Sequence, residues 1–493
     1  MGRAVGIDLG TTFSAIAILD EDHEAQAILN AEGKLTTPSV ALWQDNAYVV
    51  GQPALDLIER AEGDERAMLA AALIRGVKRM VGNPPLGGLI SNGHRTTPVE
   101  VSAAILAKLA RDASARLDFP VRDAVITVPA HFGDRERIAT KEAAEMAGLH
   151  VLQIINEPSA AALTYTHGEE TKPGIALVFD LGGGTFDATI LQIGDGPSRV
   201  LSTKGIEELG GINFTNKLAV DLRRRYEVET KTPYPDDSLS TDRLIIAAEA
   251  AKCSLSDGQT TTIHLAPAQR QAVDLVVTRK QFNNLISLFI LQLQTAIEVA
   301  IERAGKTPAD IARVLLCGGS SRIPAIQNML TEFFGHRPET ILDLDLSVAL
   351  GAAYQAAYSE EPALQLEDGG LVIDCVSYPV GIAVKNSAGD SIKLVMLHPG
   401  DPLNTWGQSF AVRIVGSTTT FPPIAVYKGE GSQLHPKDKL GEIMLTLPPG
   451  TPQGARATVM MSQDQSGLIQ VQISLDGQDL PGTLRRDMIQ AGS

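Results

Sequence analysis

Along the first three-quarters of the chain, short apolar runs alternate with longer stretches whose apolar residues recur at helical spacing. This alternation predicts layered α/β architecture. Thr97-Pro98 opens a helix whose apolar positions Val99, Ala103, Leu106, Ala110, Ala113 and Leu117 share one face. A strand from Ala124 to Val128 stops at Pro129, and Asp134 is then expected to cap a helix from Arg135 to Ala147 that Gly148 closes. Leu244 to Leu255 also reads as helix. The most apolar stretch, Leu285 to Ile301, is interrupted by Gln292, Gln294 and Glu298, so it reads as a buried helix rather than a membrane span. Near residue 360 the rhythm changes. Ser359-Glu360-Glu361-Pro362 ends the helical pattern, and Leu371-Val372-Ile373-Asp374 is a short apolar patch closing an acidic stretch. Beyond it, Ile392 to Leu397, Ile424 to Tyr427, Glu442 to Leu447, Ala457 to Met461 and Leu468 to Ile473 are separated by Pro, Gly and Asp clusters, which predicts an all-β domain. The expected division is an α/β domain over 1–363, a linker over 364–374 and a β domain over 375–493, with Leu480 to Ser493 a loose tail.

Composition narrows the classes. At 493 residues the chain exceeds one ordinary core, and 44% apolar content makes it globular. Its 42 basic and 58 acidic residues leave a formal charge of −16, against nonspecific nucleic-acid binding and against an anionic membrane surface. Cys253, Cys317 and Cys375 lie far apart, without metal-ligand spacing, so neither a disulfide framework nor a zinc site is expected. The amino terminus runs straight into a strand with no removable apolar leader, so a reducing, cytoplasmic setting is expected.

A near-repeat carries the chemistry. Ile7-Asp8-Leu9-Gly10-Thr11-Thr12-Phe13 and Phe179-Asp180-Leu181-Gly182-Gly183-Gly184-Thr185-Phe186-Asp187 each follow an apolar strand, place a carboxylate at its end, turn through glycine and resume as a second strand. Glycine lets N–H groups approach an anion, threonine adds hydroxyl donors, and aspartates suit hydrated Mg²⁺. One such turn could be a plain hairpin. Two matched copies point to a nucleotide clamp.

Further segments show which family the chain resembles. Val125-Ile126-Thr127-Val128-Pro129-Ala130-His131-Phe132, Arg137, Ile154-Ile155-Asn156-Glu157-Pro158-Ser159, and Leu316-Cys317-Gly318-Gly319-Ser320-Ser321-Arg322-Ile323-Pro324 stand with the two hairpins in the order found in Hsp70 molecular chaperones. Val426-Tyr427-Lys428-Gly429-Glu430 and Leu440-Gly441-Glu442 extend that resemblance into the β region. It implies a two-lobed, actin-like ATPase domain of duplicated ribonuclease H-like subdomains, followed by a β-sandwich peptide-binding domain. It also implies ATP hydrolysis with ATP/ADP and Mg²⁺ as cofactors, extended segments of unfolded protein as partners, and a monomer served by a J-domain co-chaperone and a nucleotide-exchange factor.

By the same resemblance, Asp8, Asp180 and Asp187 would hold Mg²⁺ through water. Gly10, Thr11, Thr12, Phe13, Gly182, Gly183, Gly184 and Thr185 would line the phosphates. Lys78 matches the catalytic lysine and Glu157 its acidic partner, although Lys78 taken alone reads as a solvated surface lysine. Glu249, Lys252 and Ser256 match the ribose and adenine side, or form an ordinary charged helix face. Gly318, Gly319, Ser320, Arg322 and Asp345 also align with nucleotide positions. Pro129, Arg137, Leu371, Val372, Ile373 and Asp374 align with the relay between domains, where a strand-ending proline and a surface arginine are the alternative for the first two. Ile382, Val384, Phe410 and Ile424 align with peptide-pocket positions and equally fit a sandwich core.

Departures from the family pattern carry their own expectations. Cys253 stands where an arginine usually packs on adenine, so weaker nucleotide binding is expected. The segment between Lys78 and His131 is short, with Gly87-Gly88 in place of extra strands. Ile212 and Asn213 replace an acidic pair after Gly210-Gly211, and Pro422-Pro423 falls at a pocket position where proline removes a ladder donor. The chain stops where a helical lid would begin, so rapidly exchanging peptide binding is expected. An actin-fold small-molecule kinase and an actin-like filament protein are the competing readings, and both leave the β domain unexplained.

Overall fold

The computed structural model describes residues 4–85, 87–167, 173–194, 197–267, 270–340, 343–362, 372–386, 388–413, 423–445, 451, 454–475, 477–480 and 482–486. Two mixed sheets form its centre. The first runs in the order His150–Asn156, Asp123–Val128, Val5–Asp8, Phe13–Leu19 and Ala25–Ala27, with Thr36–Pro38 also paired to Phe13–Leu19. The second runs Glu339–Thr340, Ile311–Cys317, Gly174–Leu181, Phe186–Ile193, Ser198–Ile206 and Val372–Ile373. Each is built on an antiparallel hairpin with a parallel strand beside its first arm. Asp8 pairs with Ala15 and Thr127, and Asp180 with Asp187 and Cys317. The near-repeat in sequence is therefore a repeat in space.

Two helices, Glu157–Thr166 and Ser347–Glu360, run between the sheets, and their small residues let backbones touch. A Cβ on Gly351 would lie 1.7 Å from the Ala160 carbonyl oxygen, and one on Gly6 would lie 2.1 Å from the Ala353 nitrogen. No side chain fits at either position. Ala160, Ala161, Ala352, Ala353 and Ala356 complete this tight seam between the lobes.

The predicted helix after Thr97 spans Pro98–Leu117 and opens with a capping box between Thr97 and Glu100. The next helix spans Asp134–Met146, and here the expectation needs correction. Gly133 is the capping residue, its N–H bonded to Glu136 Oε2, while Asp134 is already helical and wholly buried. Ser238–Asp257 extends the expected Leu244 to Leu255 helix at both ends. In the shortened region, the hairpin Leu89–Ser91 and His94–Thr96 sits beside a three-stranded sheet of Val40–Gln44, Ala47–Val50 and Ile74–Arg75.

The apolar helix spans Arg279–Arg303 and, among the described helices, is the one long and apolar enough to cross a membrane. Phe282, Ile286, Leu293 and Ile297 pack it into the core of the second lobe, while Leu288 and Leu291 are exposed at 73% and 58%. It is buried along one face rather than all round.

The β region forms two sheets. One runs Ser391–Leu397, Val380–Lys385, Ile424–Lys428, Lys439–Leu445 and Gly482–Arg486, and the other Phe410–Arg413, Arg456–Gln463, Ile469–Leu475 and Gln478–Leu480. Their core includes Val380, Ile382, Val426, Ile443, Val459 and Ile473. The expected loose tail is overturned in part, because Gly482–Arg486 pairs along Leu445 to Gly441 as an edge strand.

Candidate functional site

The two hairpin tips face each other across one crevice. A Cβ on Gly183 would fall 2.0 Å from Thr12 Oγ1, and one on Gly184 would fall 2.7 Å from Thr11 Cγ2, so only glycine lets the loops approach this closely. Gly10 donates its N–H to Ser14 Oγ at 3.2 Å, tightening the first turn. Thr11 and Thr185 are buried in the crevice, whereas Thr12 and Phe13 lie at its exposed rim. Gly182 is tied down by Ser320 Oγ and by the N–H of Gly211, which both donate to its carbonyl at 2.9 and 3.0 Å.

Between the tips sits Lys78. It belongs to the short 3₁₀ turn Val77–Met80, is 4% exposed, and donates to Glu157, the first residue of its helix. The surface-lysine alternative is ruled out. Asp8 accepts from Thr127 Oγ1 at 3.1 Å, and Asp187 lies 3.3 Å from His131 Nδ1. Burial works against the Lys78 ammonium, yet Glu157, Asp8 and Asp180 outweigh it and hold the pKa above the usual lysine range.

The carboxyls respond in the opposite sense. Burial, with Lys78 opposing and Asp8 reinforcing, pushes Glu157 up to about 7. Burial and repulsion from Glu157, Asp187 and Asp8 lift Asp180 well above the carboxylate range, and burial raises Asp8. Glu157, Asp8 and Asp180 thus share Lys78, while Asp187 faces His131. The carboxylates of Asp8, Asp180 and Asp187 are oxygen donors of the kind a hydrated Mg²⁺ takes.

On the far side of the crevice, Lys252 Nζ donates to Glu249 Oε2 at 2.7 Å and to the Gly211 carbonyl at 3.2 Å, while Thr215 also bonds Glu249. Burial disfavours the Glu249 carboxylate, but Lys252 and the hydroxyl outweigh it and keep its pKa low. These bonds turn Glu249 and Lys252 into a fixed corner rather than a loose charged face. Ser256 lies one turn further along that helix. Gly318, at φ +73°, starts the turn Gly319–Arg322, whose Arg322 bridges Asp345 at 2.8 Å and Asp343 at 3.1 Å. Cys253 is exposed beside Glu249, with Sγ 3.6 Å from Oε1.

The relay residues assemble separately, where the β sandwich meets the α/β body. Arg137 is buried and donates to the Phe132 carbonyl at 2.9 Å, Asn156 Oδ1 at 2.5 Å and the Ser466 carbonyl of the sandwich at 3.0 Å. Asn156 and Ser159 in turn donate to Asp374 Oδ2, both at 2.8 Å. Val372–Ile373 adds a strand beside Ser198 and Arg199. Pro129 ends the neighbouring strand, and its carbonyl accepts from the Phe132 N–H at 3.0 Å. The surface-arginine alternative for Arg137 fails. Leu371 lies outside the described residues. Further ties run from Arg135 to the Lys439 carbonyl at 2.8 Å, from the Ile469 N–H to Asp134 at 3.2 Å, and between Arg303 and Glu430.

Of the four peptide-pocket candidates, Ile382 and Ile424 are buried in the sandwich core, while Val384 and Phe410 pack partly buried against it. Pro422 lies outside the described residues. Sequence reasoning passed over Arg79, whose Cδ lies 3.0 Å from where a Gly184 Cβ would be, and Thr127, Thr215, Asn156 and Ser159 as positioning residues. A basic doublet with Lys78 was the signal available for Arg79. Thr127, Asn156 and Ser159 stand within the quoted motif segments, but their bonding partners are distant in sequence, as is that of Thr215.

Comparison with known proteins agrees with this geometry. The family model described as "Hsp70 protein" matches residues 4–84 and 88–481. Similar relatives include the chaperone protein DnaK of Deinococcus proteolyticus, 36% identical over 505 residues that cover 96% of this chain and 76% of that protein. The proteins of the same name from Deinococcus deserti and Deinococcus radiodurans are also 36% identical, each over 96% of this chain and 77% of their own length.

Proposed function

The chain belongs to the Hsp70 family, and on that premise we propose that the crevice between Asp8 and Asp180 binds and hydrolyses ATP while the β sandwich takes extended segments of unfolded protein. It is an Hsp70-type chaperone and an ATP hydrolase; the kinase and filament readings are not favoured. Members of the family bind ATP or ADP with Mg²⁺, cycle with co-chaperones and are typically soluble and cytoplasmic.

The observation that carries the residue assignment is the buried Lys78, bonded to Glu157 between two glycine tips. Phosphoryl transfer to water asks a protein chiefly to position groups and stabilise charge. Lys78 orients the attacking water and balances charge developing on the terminal phosphate. Glu157 fixes the lysine. Thr11, Thr12 and Thr185 donate hydroxyls, and Gly182 to Gly184 offer N–H groups, towards phosphate oxygens. Asp8, Asp180 and Asp187 would hold a hydrated Mg²⁺, which would supply neutralisation of phosphate charge when bound. Glu249, Lys252 and Ser256 face the ribose and adenine side, with Gly318, Gly319, Ser320, Arg322 and Asp345 around the base.

The proposed domains are 1–363 for the ATPase, 364–374 for the linker and 375–493 for the peptide-binding sandwich. Arg137, with Pro129 and the linker residues Val372, Ile373 and Asp374, passes the nucleotide state to that sandwich. Ile382, Val384, Phe410 and Ile424 shape the floor and wall of its peptide site. A J-domain co-chaperone and a nucleotide-exchange factor complete the cycle, and the working location is the cytoplasm.

Steady-state ATPase of the native protein and Lys78→Ala, with and without an unfolded peptide, tests this. Turnover should fall at least about 100-fold in the variant, as expected for a positioned charge in the transition state. Peptide should stimulate the native protein. Equal turnover in the two proteins would remove Lys78 from the mechanism.

A further inference from the structure

Where the α/β body meets the sandwich there is an open cavity of about 430 Å³ whose lining includes Arg303, Lys393, Val395, His398, Glu430 and Ser432. Its position is separate from the nucleotide crevice. Lys393 lies on the edge strand Ser391–Leu397, whose backbone is clipped to the adjoining turn by the Lys393 N–H on the Ser432 carbonyl at 2.8 Å. The residue is 3% exposed. Among the described residues its ammonium meets one acceptor, the carbonyl of Gly429, and no carboxylate in ion-pair contact. An ammonium has three N–H donors, so two are left without a protein acceptor among the described residues.

Two carboxylates, Asp438 and Glu430, act on it through space. Glu430 is itself paired with Arg303, whose second nitrogen donates to the Thr203 carbonyl at 3.1 Å. Burial accordingly pulls the lysine pKa below its usual range. A buried cation with no carboxylate in contact is costly, and an anion entering the cavity would relieve part of that cost. The cavity volume is in the range of small-ligand sites and leaves room for a hydrated oxyanion.

We propose that this cavity is a binding site for a small oxyanion of the phosphate class, held by Lys393 with His398 beside it and Arg303 closing the wall from the other domain. Arg303 comes from the helix Arg279–Arg303, the remaining groups from the sandwich. A ligand seated there contacts both domains at once. It therefore favours the joined arrangement over the separated one, in proportion to its occupancy.

Inorganic phosphate, titrated by calorimetry into the full chain at constant ionic strength, tests the site. Lys393→Met should weaken this binding at least about tenfold, whereas Lys393→Arg, which keeps the charge, should stay within about threefold. Lys78→Ala, altered only in the nucleotide crevice, should retain it. Absence of any phosphate binding in the native chain, or Lys393→Met equal to native while Lys78→Ala loses it, overturns the proposal and sends the anion to the crevice. If Lys393→Met does not fold, acylation of Lys393 in the native protein, read by mass spectrometry, replaces it. Phosphate should slow that reaction and chloride at equal ionic strength should not; identical rates overturn the proposal.

Discussion

Arg137 and Ser466 are 329 residues apart in sequence, yet the arginine guanidinium donates to the serine carbonyl at 3.0 Å. The same guanidinium holds Asn156, and Asn156 holds Asp374 beside the linker strand. One side chain therefore touches the ATPase body and the sandwich, and reaches Asp374 through Asn156. Gly467 sits directly on it at φ +73°, where a Cβ would lie 2.8 Å from Arg137 Cζ.

Arg137→Ala should uncouple the two domains while leaving the nucleotide crevice assembled. Basal ATPase is expected to persist and stimulation by unfolded peptide to disappear. Because the truncation orphans buried partners, a stability loss of about 2 to 4 kcal/mol should accompany it, read from chemical denaturation. Undiminished peptide stimulation would refute the relay.

Gly351→Ala and Gly6→Ala should each cost about 3 kcal/mol or more, because the added methyl meets fixed backbone rather than a yielding side chain. Circular-dichroism melting gives the comparison. Gly148→Ala is a control for positive φ alone: that glycine lies at φ +80° with nothing near its Cβ position, so its cost should be nearer 1 kcal/mol.

The acid–base behaviour of Glu157 has a definite sign. Its folded pKa of about 7 lies above the ordinary value of 4.5. The folded state therefore holds the proton more tightly, and the stabilisation is full below about 4.5 and lost as pH rises to about 7. Melting of the nucleotide-free native protein, compared with Glu157→Gln, should show the two close at low pH. Native should fall behind by on the order of 1 to 3 kcal/mol above neutrality. Parallel curves would contradict it. Binding of Mg²⁺ with nucleotide should release protons near neutral pH, detectable by calorimetry in buffers of different ionisation enthalpy.

Cys253→Arg places a guanidinium next to Glu249, on the side proposed for adenine. A cation placed on the ring face adds about 1 to 2 kcal/mol, so ADP affinity should rise roughly five- to thirtyfold. Calorimetric titration decides it. An unchanged affinity would place adenine away from residue 253.

Local pattern carried much of the molecule. Asp8-to-Phe13 and Asp180-to-Thr185 were legible because a tight turn near phosphate demands glycine and hydroxyls at consecutive positions, and because the motif occurs twice. The capping box at Thr97 and Glu100 was equally local. The residues that hold the site in place were not legible in the same way. Thr127 meets Asp8 across 119 residues, and Lys78 meets Glu157 across 79. The strand Gly482–Arg486 was read as tail because its partner, Lys439–Leu445, lies far upstream and its own pattern is weak.

Periodicity, glycine placement and a duplicated motif were enough to determine an α/β body, a β domain and two anion-handling turns, since each depends on neighbours within a few residues. Tertiary structure alone decided that the turns oppose each other, that Lys78 is buried among three carboxyls, and that Arg137 and Arg303 meet the sandwich. Those outcomes depend on burial and on charges brought together from distant segments, and no local pattern encodes either.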